Sequence, residues 1–170
     1  MKRIWIAGSA GSGKTTLAEL IGRKCDIPVY HRDSITWDEN DNMRTEAEQI
    51  AIVKDIAQND KWIFEGARFT ASKIDGRIDR CDTIIYLNLN RFLCAYRGIK
   101  RGIRTAKRKD IPAAERQPFY PQHIYSVLIG YPKKRQQRES VFELARNRGI
   151  NVVVLKTRKD VKEFCESFLN

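Results

Sequence analysis

The sequence predicts an α/β domain around a mostly parallel sheet, and three observations lead there. Short apolar runs recur along the chain with helix-patterned stretches between them. The run Thr83-Ile84-Ile85-Tyr86-Leu87 is continuous, as in a strand buried on both faces. The octapeptide Gly8-Ser9-Ala10-Gly11-Ser12-Gly13-Lys14-Thr15 sits between the first apolar run and the first helical pattern, a strand–loop–helix setting. Domains of this class bind ligands at the carboxyl ends of their strands.

The elements follow in order. Residues 2–7 read as the first strand and 14–24 as the helix leaving the loop. Pro28-Val29-Tyr30-His31 is a short second strand that ends at Asp33. Thr45-Glu46-Ala47-Glu48 is a capping box that opens a helix to about Asn59. Trp62-Ile63-Phe64-Glu65 is a third strand closed by Gly66, and 70–79 a weakly patterned helix. After the fourth strand at 83–87 come helical stretches at 91–108 and 121–130, separated by Pro112 and Pro118, with Pro132 expected to stop the second. A helix from Lys134 to Asn147, a strand at 152–155 and a helix at 161–169 close the chain. With no repeat, low-complexity tract or linker, the 170 residues read as one domain.

The octapeptide fits G-x-x-x-x-G-K-[ST] through Gly8, Gly13, Lys14 and Thr15. Glycines let the backbone turn its N–H groups inward to cradle phosphate oxygens at a helix N-terminus, with Ser9, Ala10, Gly11, Ser12 and Thr16 completing the cradle. Lys14 then reaches the outer phosphates and the Thr15 hydroxyl ligates Mg²⁺. A plain Gly/Ser turn does not require Lys-Thr at this place. The expected ligand is Mg²⁺ with a nucleoside triphosphate, ATP.

At 42% hydrophobic the chain is ordinary for a globular protein, and no apolar run approaches the ~20 residues that span a bilayer. Met1-Lys2-Arg3 leads straight into the first strand, leaving no room for a cleavable signal. Cys25, Cys81, Cys94 and Cys165 form no C-x-x-C pair; they read as reduced, buried or half-buried thiols of a cytoplasmic protein. The net charge of +11 is concentrated: Arg91 to Arg138 holds 13 Lys and Arg against Asp110 and Glu115, and the rest is neutral. Such asymmetry points to a polyanionic partner, a nucleotide's phosphates or a nucleic acid.

Other phosphate-loop classes fit poorly. Thr157-Arg158-Lys159-Asp160 lacks the Asn of a guanine-specifying N-K-x-D, and no strand ends in Asp-Glu as in motor ATPases. Several motifs together resemble the DNA topology modulation proteins, a branch related to adenylate and shikimate kinases. They are G-x-x-G-x-G-K-[ST]-T-L-A at 8–18, P-V-Y-H-x-D at 28–33 with Trp37, and W-I-x-x-G at 62–66. D-T-I-I-Y-L at 82–87 with Arg91, Arg97 and Arg101, then Y-P-x-x-R at 131–135, complete the set. The resemblance implies a five-stranded parallel sheet in the order 2-3-1-4-5, an acceptor region after strand two and a basic helical lid at about 98–135.

It also implies roles for particular residues. Asp33 is placed to touch the Mg²⁺ water shell or the acceptor; a turn cap is the alternative. Glu65 stands where nucleotide kinases carry Asp-Gly and would hold a metal-bound water. Arg68 lies one residue short of the arginine that holds an acceptor phosphate in adenylate kinases. Tyr30, His31, Arg32 and Trp37 are placed to line the acceptor pocket, with core packing the equal alternative for Tyr30 and Trp37 and a hydrogen-bonded structural histidine, rather than a base, expected of His31; Lys156-Thr157 pass their backbone by the adenine. Arg97 and Arg101, four apart, share a helix face continued by Arg104 and Arg108, while Arg135 and Arg138 close from the other side. Phosphoryl transfer needs alignment and cancelled charge, so Lys14, Asp33, Arg97, Arg101 and Arg135 are the expected catalytic set.

Two function classes stand at this point: an ATP-dependent small-molecule kinase, or a nucleic-acid-binding ATPase using the basic segment as its surface. The aromatics Phe92, Tyr96, Phe119, Tyr120, Tyr125 and Tyr131 are interleaved with the charge, but their spacing is expected to bury them on lid helices. That favours the kinase.

Overall fold

The computed structural model describes residues 1–40, 42–105 and 121–169. Strands β1 (Arg3–Gly8), β2 (Val29–His31), β3 (Trp62–Glu65), β4 (Thr83–Leu87) and β5 (Asn151–Leu155) form a parallel sheet in the order β2-β3-β1-β4-β5, as expected. The period of two sorts the buried residues of β1 onto two faces. Ile4 and Ile6 join Leu17 and Ile21 of α1 (Lys14–Cys25) and Val161 of α9 (Arg158–Leu169). Trp5 and Ala7 join Val53 and Ile56 of α3 (Glu46–Gln58) and Val141 and Phe142 of α8 (Arg135–Asn147). Helices therefore cover both faces, giving three layers.

The capping box forms: the Thr45 N–H donates to Glu48 Oε2 (2.7 Å) and the Glu48 N–H to Thr45 Oγ1 (3.3 Å). Other boundaries differ from expectation for local reasons. The chain enters a short helix, α2 (Arg32–Thr36), directly after β2. The expected helix at 70–79 is instead a 3₁₀ turn at Ala71–Lys73 and α4 (Arg77–Arg80), because Gly76 between them takes φ 78°. Pro132 does not stop the chain. After α5 (Arg91–Thr105), α6 (Pro121–Tyr125) and a π-helical turn at Ser126–Gly130, Pro132 lies in the first turn of α7 (Tyr131–Lys133), where its missing N–H costs nothing. The continuation of α5 to Arg108, with Pro112 and Pro118, lies outside the described residues. Helix α9 begins three residues early because the Asp160 carboxylate accepts the N–H groups of Lys156 (2.8 Å) and Thr157 (3.1 Å).

Cys81 and Cys94 are buried and Cys165 is half-buried, but Cys25 is exposed, against expectation. It ends α1 just before Asp26 turns the chain at φ 50°. All four are free thiols. Among the described residues no helix is long and apolar enough to cross a membrane.

A buried ion pair braces the segment after β3. Arg77 and Asp75 side chains are each 2% exposed and meet at 2.6 Å. The guanidinium lies 4.0 Å from the Phe64 ring centroid and 4.8 Å from that of Trp5, and donates to the Arg68 carbonyl at 3.3 Å. Burial pulls the Arg77 pKa down and Asp75 opposes it. Removing one partner leaves a buried charge uncompensated. Asp75→Ala is expected to cost about 3–5 kcal/mol in urea denaturation, and Asp75→Ala/Arg77→Met to recover most of it. A single variant as stable as the parent would show that the pair braces nothing.

Candidate functional site

The carboxyl ends of β1, β2 and β3 meet at one edge of the sheet, where register sets Glu65 beside both Ile6 and His31. From β1 the chain enters the phosphate loop. A Cβ on Gly8 would stand 2.7 Å from Ser12 Oγ and 2.9 Å from the Leu87 carbonyl oxygen, so the loop tolerates no side chain there. Gly11, at φ 76°, would place a Cβ 2.1 Å from the Cys94 carbonyl oxygen on α5. Gly13 caps α1 at φ 93° without a side-chain cap, so the first N–H groups of the helix keep no side-chain partner at the cap. Ser12 Oγ is buried with no partner. The concave backbone, the helix N-terminus and this orphan hydroxyl fit a phosphate chain.

Lys14 closes the mouth of the loop. Its Nζ donates to the Ser9 carbonyl (3.1 Å) and stands 3.5 Å from Glu65 Oε1. The other Glu65 oxygen lies 3.4 Å from His31 Nδ1, and His31 Nε2 is 2.9 Å from Glu19 Oε1 on α1. Lys14, Glu65, His31 and Glu19 thus form one chain of alternating basic and acidic groups. Burial pushes the Glu65 carboxyl up, but the His31 bond and the Lys14 charge outweigh it and hold it below the ordinary carboxylate value. The bond to Glu65 raises His31 above its ordinary 6.5, burial works against it, and the bond to Glu19 adds to the rise.

The remaining expected residues divide. Asp33 is exposed in the first turn of α2 and bonds no described group through its carboxylate; the N-cap of α2 has no side-chain bond, so Asp33 is not a cap. Thr15 and Thr16 are exposed beside the loop. Trp37 is half-buried at the end of α2, bridged to Met43, with its carbonyl, and those of Ser34 and Ile35, held by Arg44. Arg68 is engaged on α3, donating to Gln49 and Glu46 at 2.6 Å each.

A cavity of about 700 Å³ opens between the loop and α8, and its wall includes Ser9, Arg91, Arg135, Arg138, Arg146 and Lys156. The structure therefore brings Ser9, Arg135 and Lys156 together. Arg97, half-buried, and Arg101, exposed, lie on α5 away from that wall. The Lys156 and Thr157 N–H groups are taken by Asp160, and the Thr157 carbonyl accepts the Val161 N–H at 3.2 Å. Glu19, Arg146 and Arg77 escaped the sequence reading, because each looks like an ordinary helix-surface charge and only long-range packing gives it a partner or a cavity wall.

The aromatics overturn one expectation. Phe92, Tyr96 and Tyr125 are 62%, 61% and 56% exposed. Helix α5 packs through Cys94, Ala95, Gly98 and Gly102, small residues that bring its backbone inward and leave the rings outside. Phe119 and Tyr120 lie outside the described residues.

No family model matches the chain, and no curated protein matches it. Solved structures do. A shikimate kinase from Bacteroides thetaiotaomicron aligns with a TM-score of 0.59 and 17% identity, over 98% of this chain and 95% of that one. A shikimate kinase from Acinetobacter baumannii in complex with shikimate gives 0.59 and 11%, over 99% and 91%. A gluconokinase from Sinorhizobium meliloti gives 0.50 and 13%, over 99% and 89%. Likeness at this identity shows the fold: a phosphate-loop, kinase-like sheet.

The His31 environment has a pH consequence. Its folded pKa is raised, so its stabilising contribution is fully present below about pH 6.5 and is lost as the pH rises through the folded value. The difference in melting temperature between parent and His31→Gln is expected to be largest below about pH 6.5 and to shrink as the pH rises above it. A difference independent of pH would show that His31 is neutral in the fold.

Proposed function

We propose that the chain is an ATP-dependent small-molecule kinase, akin to the topology modulation proteins its motifs resemble, working in the cytoplasm as one domain with a lid at about 98–135. The carrying observation is the Lys14 ammonium, held at the mouth of the loop by the Ser9 carbonyl and Glu65. In that position it needs only to exchange these partners for the outer phosphates of ATP. The shared fold with shikimate kinases, one holding shikimate, supports a small acceptor.

Residues Gly8 to Thr16 cradle the phosphates with backbone N–H groups. Thr15 Oγ would ligate Mg²⁺, and Asp33 and Glu65, one carboxylate exposed and one buried, would orient its waters. Mg²⁺ when bound neutralises charge on the β- and γ-phosphates. Among the described residues no three His, Cys, Asp or Glu gather into a metal cage, and a largely hydrated Mg²⁺ requires none. Arg97, Arg101 and Arg135 balance the charge that develops as the γ-phosphoryl moves. His31 and Trp37 border the acceptor end, with Arg68 released from Glu46 or bracing α3 there. The backbone of Lys156 and Thr157 borders the base.

The exposed Phe92 and Tyr96 beside Arg97, Lys100 and Arg101 favour a second reading, a nucleic-acid-binding ATPase. Two sets of variants separate the readings. Lys14→Ala is expected to abolish ADP formation with the fold intact by circular dichroism, and Asp33→Asn to depress transfer far more than ATP binding. If Asp33→Asn lowers both in parallel, Asp33 has no part in the chemistry. Arg97→Ala and Arg101→Ala are each expected to cut turnover about 10²-fold with ATP and acceptor alone. Unchanged turnover together with weakened, less salt-dependent DNA binding would give the site to the second reading.

A further inference from the structure

We propose that Glu19 is a positioning residue for the phosphate loop: it holds the His31 imidazolium against Glu65, and that second positive partner frees Lys14 to meet the outer phosphates of ATP. The proposal rests on Lys14 as the group that meets those phosphates. Neither Glu19 nor His31 belongs to the octapeptide at 8–15.

Lys14 cannot reach a triphosphate without leaving Glu65, whose Oε1 stands 3.5 Å from its Nζ. The Glu65 side chain is only 11% exposed, and a carboxylate so enclosed is costly without a positive partner. Held by Lys14 alone, Glu65 would draw the ammonium back and compete with the ligand for it. A second basic group relieves that competition. His31 Nδ1 stands 3.4 Å from Glu65 Oε2, the oxygen that does not face Lys14. Glu65 therefore keeps a partner when the lysine departs.

The charge on the ring follows from its other side. His31 Nε2 lies 2.9 Å from Glu19 Oε1. A neutral imidazole carries one N–H and can donate to only one of two carboxylates, whereas an imidazolium donates to both. Glu19 thus favours the charged ring, where burial alone would oppose it. The four groups close a circuit, because Lys14 and Glu19 both lie on α1 while Glu65 and His31 end the paired strands β3 and β2. Glu19 is 43% exposed, and so open an ion pair braces a fold only weakly. Its effect is felt at the enclosed end of the circuit, on Glu65.

The test is calorimetric titration of the full chain with Mg-ATP at about pH 7, above the ordinary histidine value, with melting temperature as the control for folding. Coulomb attraction alone gives the opposite expectation for Glu19, since removing a negative charge near the loop would tighten an anion. Glu19→Gln is instead expected to weaken Mg-ATP about threefold and His31→Gln about tenfold, the latter the size of one charged hydrogen bond. His31→Lys restores the charge without the ring. It is expected to bind Mg-ATP more tightly than His31→Gln, and Glu19→Gln is expected to weaken it no further. Glu19→Gln that binds as tightly as the parent, or more tightly, overturns the proposal. So does His31→Lys as weak as His31→Gln, because charge is then not what the ring supplies. A loss from Glu19→Gln that persists beside His31→Lys also overturns it, since Glu19 then acts by another route. A parent that does not bind Mg-ATP removes the proposal together with the kinase reading. Failure of the kinase reading alone shows as the expected order of affinities with no phosphoryl group passed to an acceptor.

Discussion

The site depends on one buried carboxylate. Glu65 ends β3 between two basic groups from different elements, Lys14 at the start of α1 and His31 at the end of β2. Burial pushes its carboxyl up, and the two neighbours together hold it below the ordinary carboxylate value. The same charge fixes the lysine against the loop and turns the imidazole toward Glu19. Parallel register makes this possible, because pairing Ile6 with Glu65 and Glu65 with His31 brings the ends of β2 and β3 level, two residues short of the end of β1. The sheet thus delivers the charges, and the charges organise the loop.

Much of this was legible in the sequence, for identifiable reasons. A loop of glycines followed by Lys-Thr imposes its geometry locally, so Gly8 to Thr15 could be read without knowing the fold. Continuous apolar runs identified the strands, and Thr45 with Glu48 announced its own cap. Interactions between distant residues were harder. Nothing near Glu19 says that His31 will turn to it, and nothing near Arg77 says that it will be enclosed by Trp5, Phe64 and Asp75. Arg68 shows the converse: a plausible ligand by spacing, it is engaged on α3 by Glu46 and Gln49.

The basic segment was the least legible part. Helical spacing in α5 matched buried aromatics as well as exposed ones, and the deciding fact was which face carried the small residues. Cys94, Ala95, Gly98 and Gly102 let the helix backbone approach its neighbours, so Phe92 and Tyr96 face outward. Pro132 was read as a stop because proline breaks helix interiors, whereas a new helix begins just before it and accommodates it in the first turn. In both places the local residue types were read correctly, but their position relative to a packing surface was not available from the chain alone.

Gly11 has a mechanical consequence. Its α-carbon faces the Cys94 carbonyl so closely that a methyl group would overlap the oxygen. Two main chains therefore share a boundary with no rotamer between them to take up slack. A displacement of α5 cannot be absorbed there by a side chain swinging aside, as it is at most contacts in a protein interior. The loop and α5 are geared together at that point, and the pitch of one sets the seat of the other.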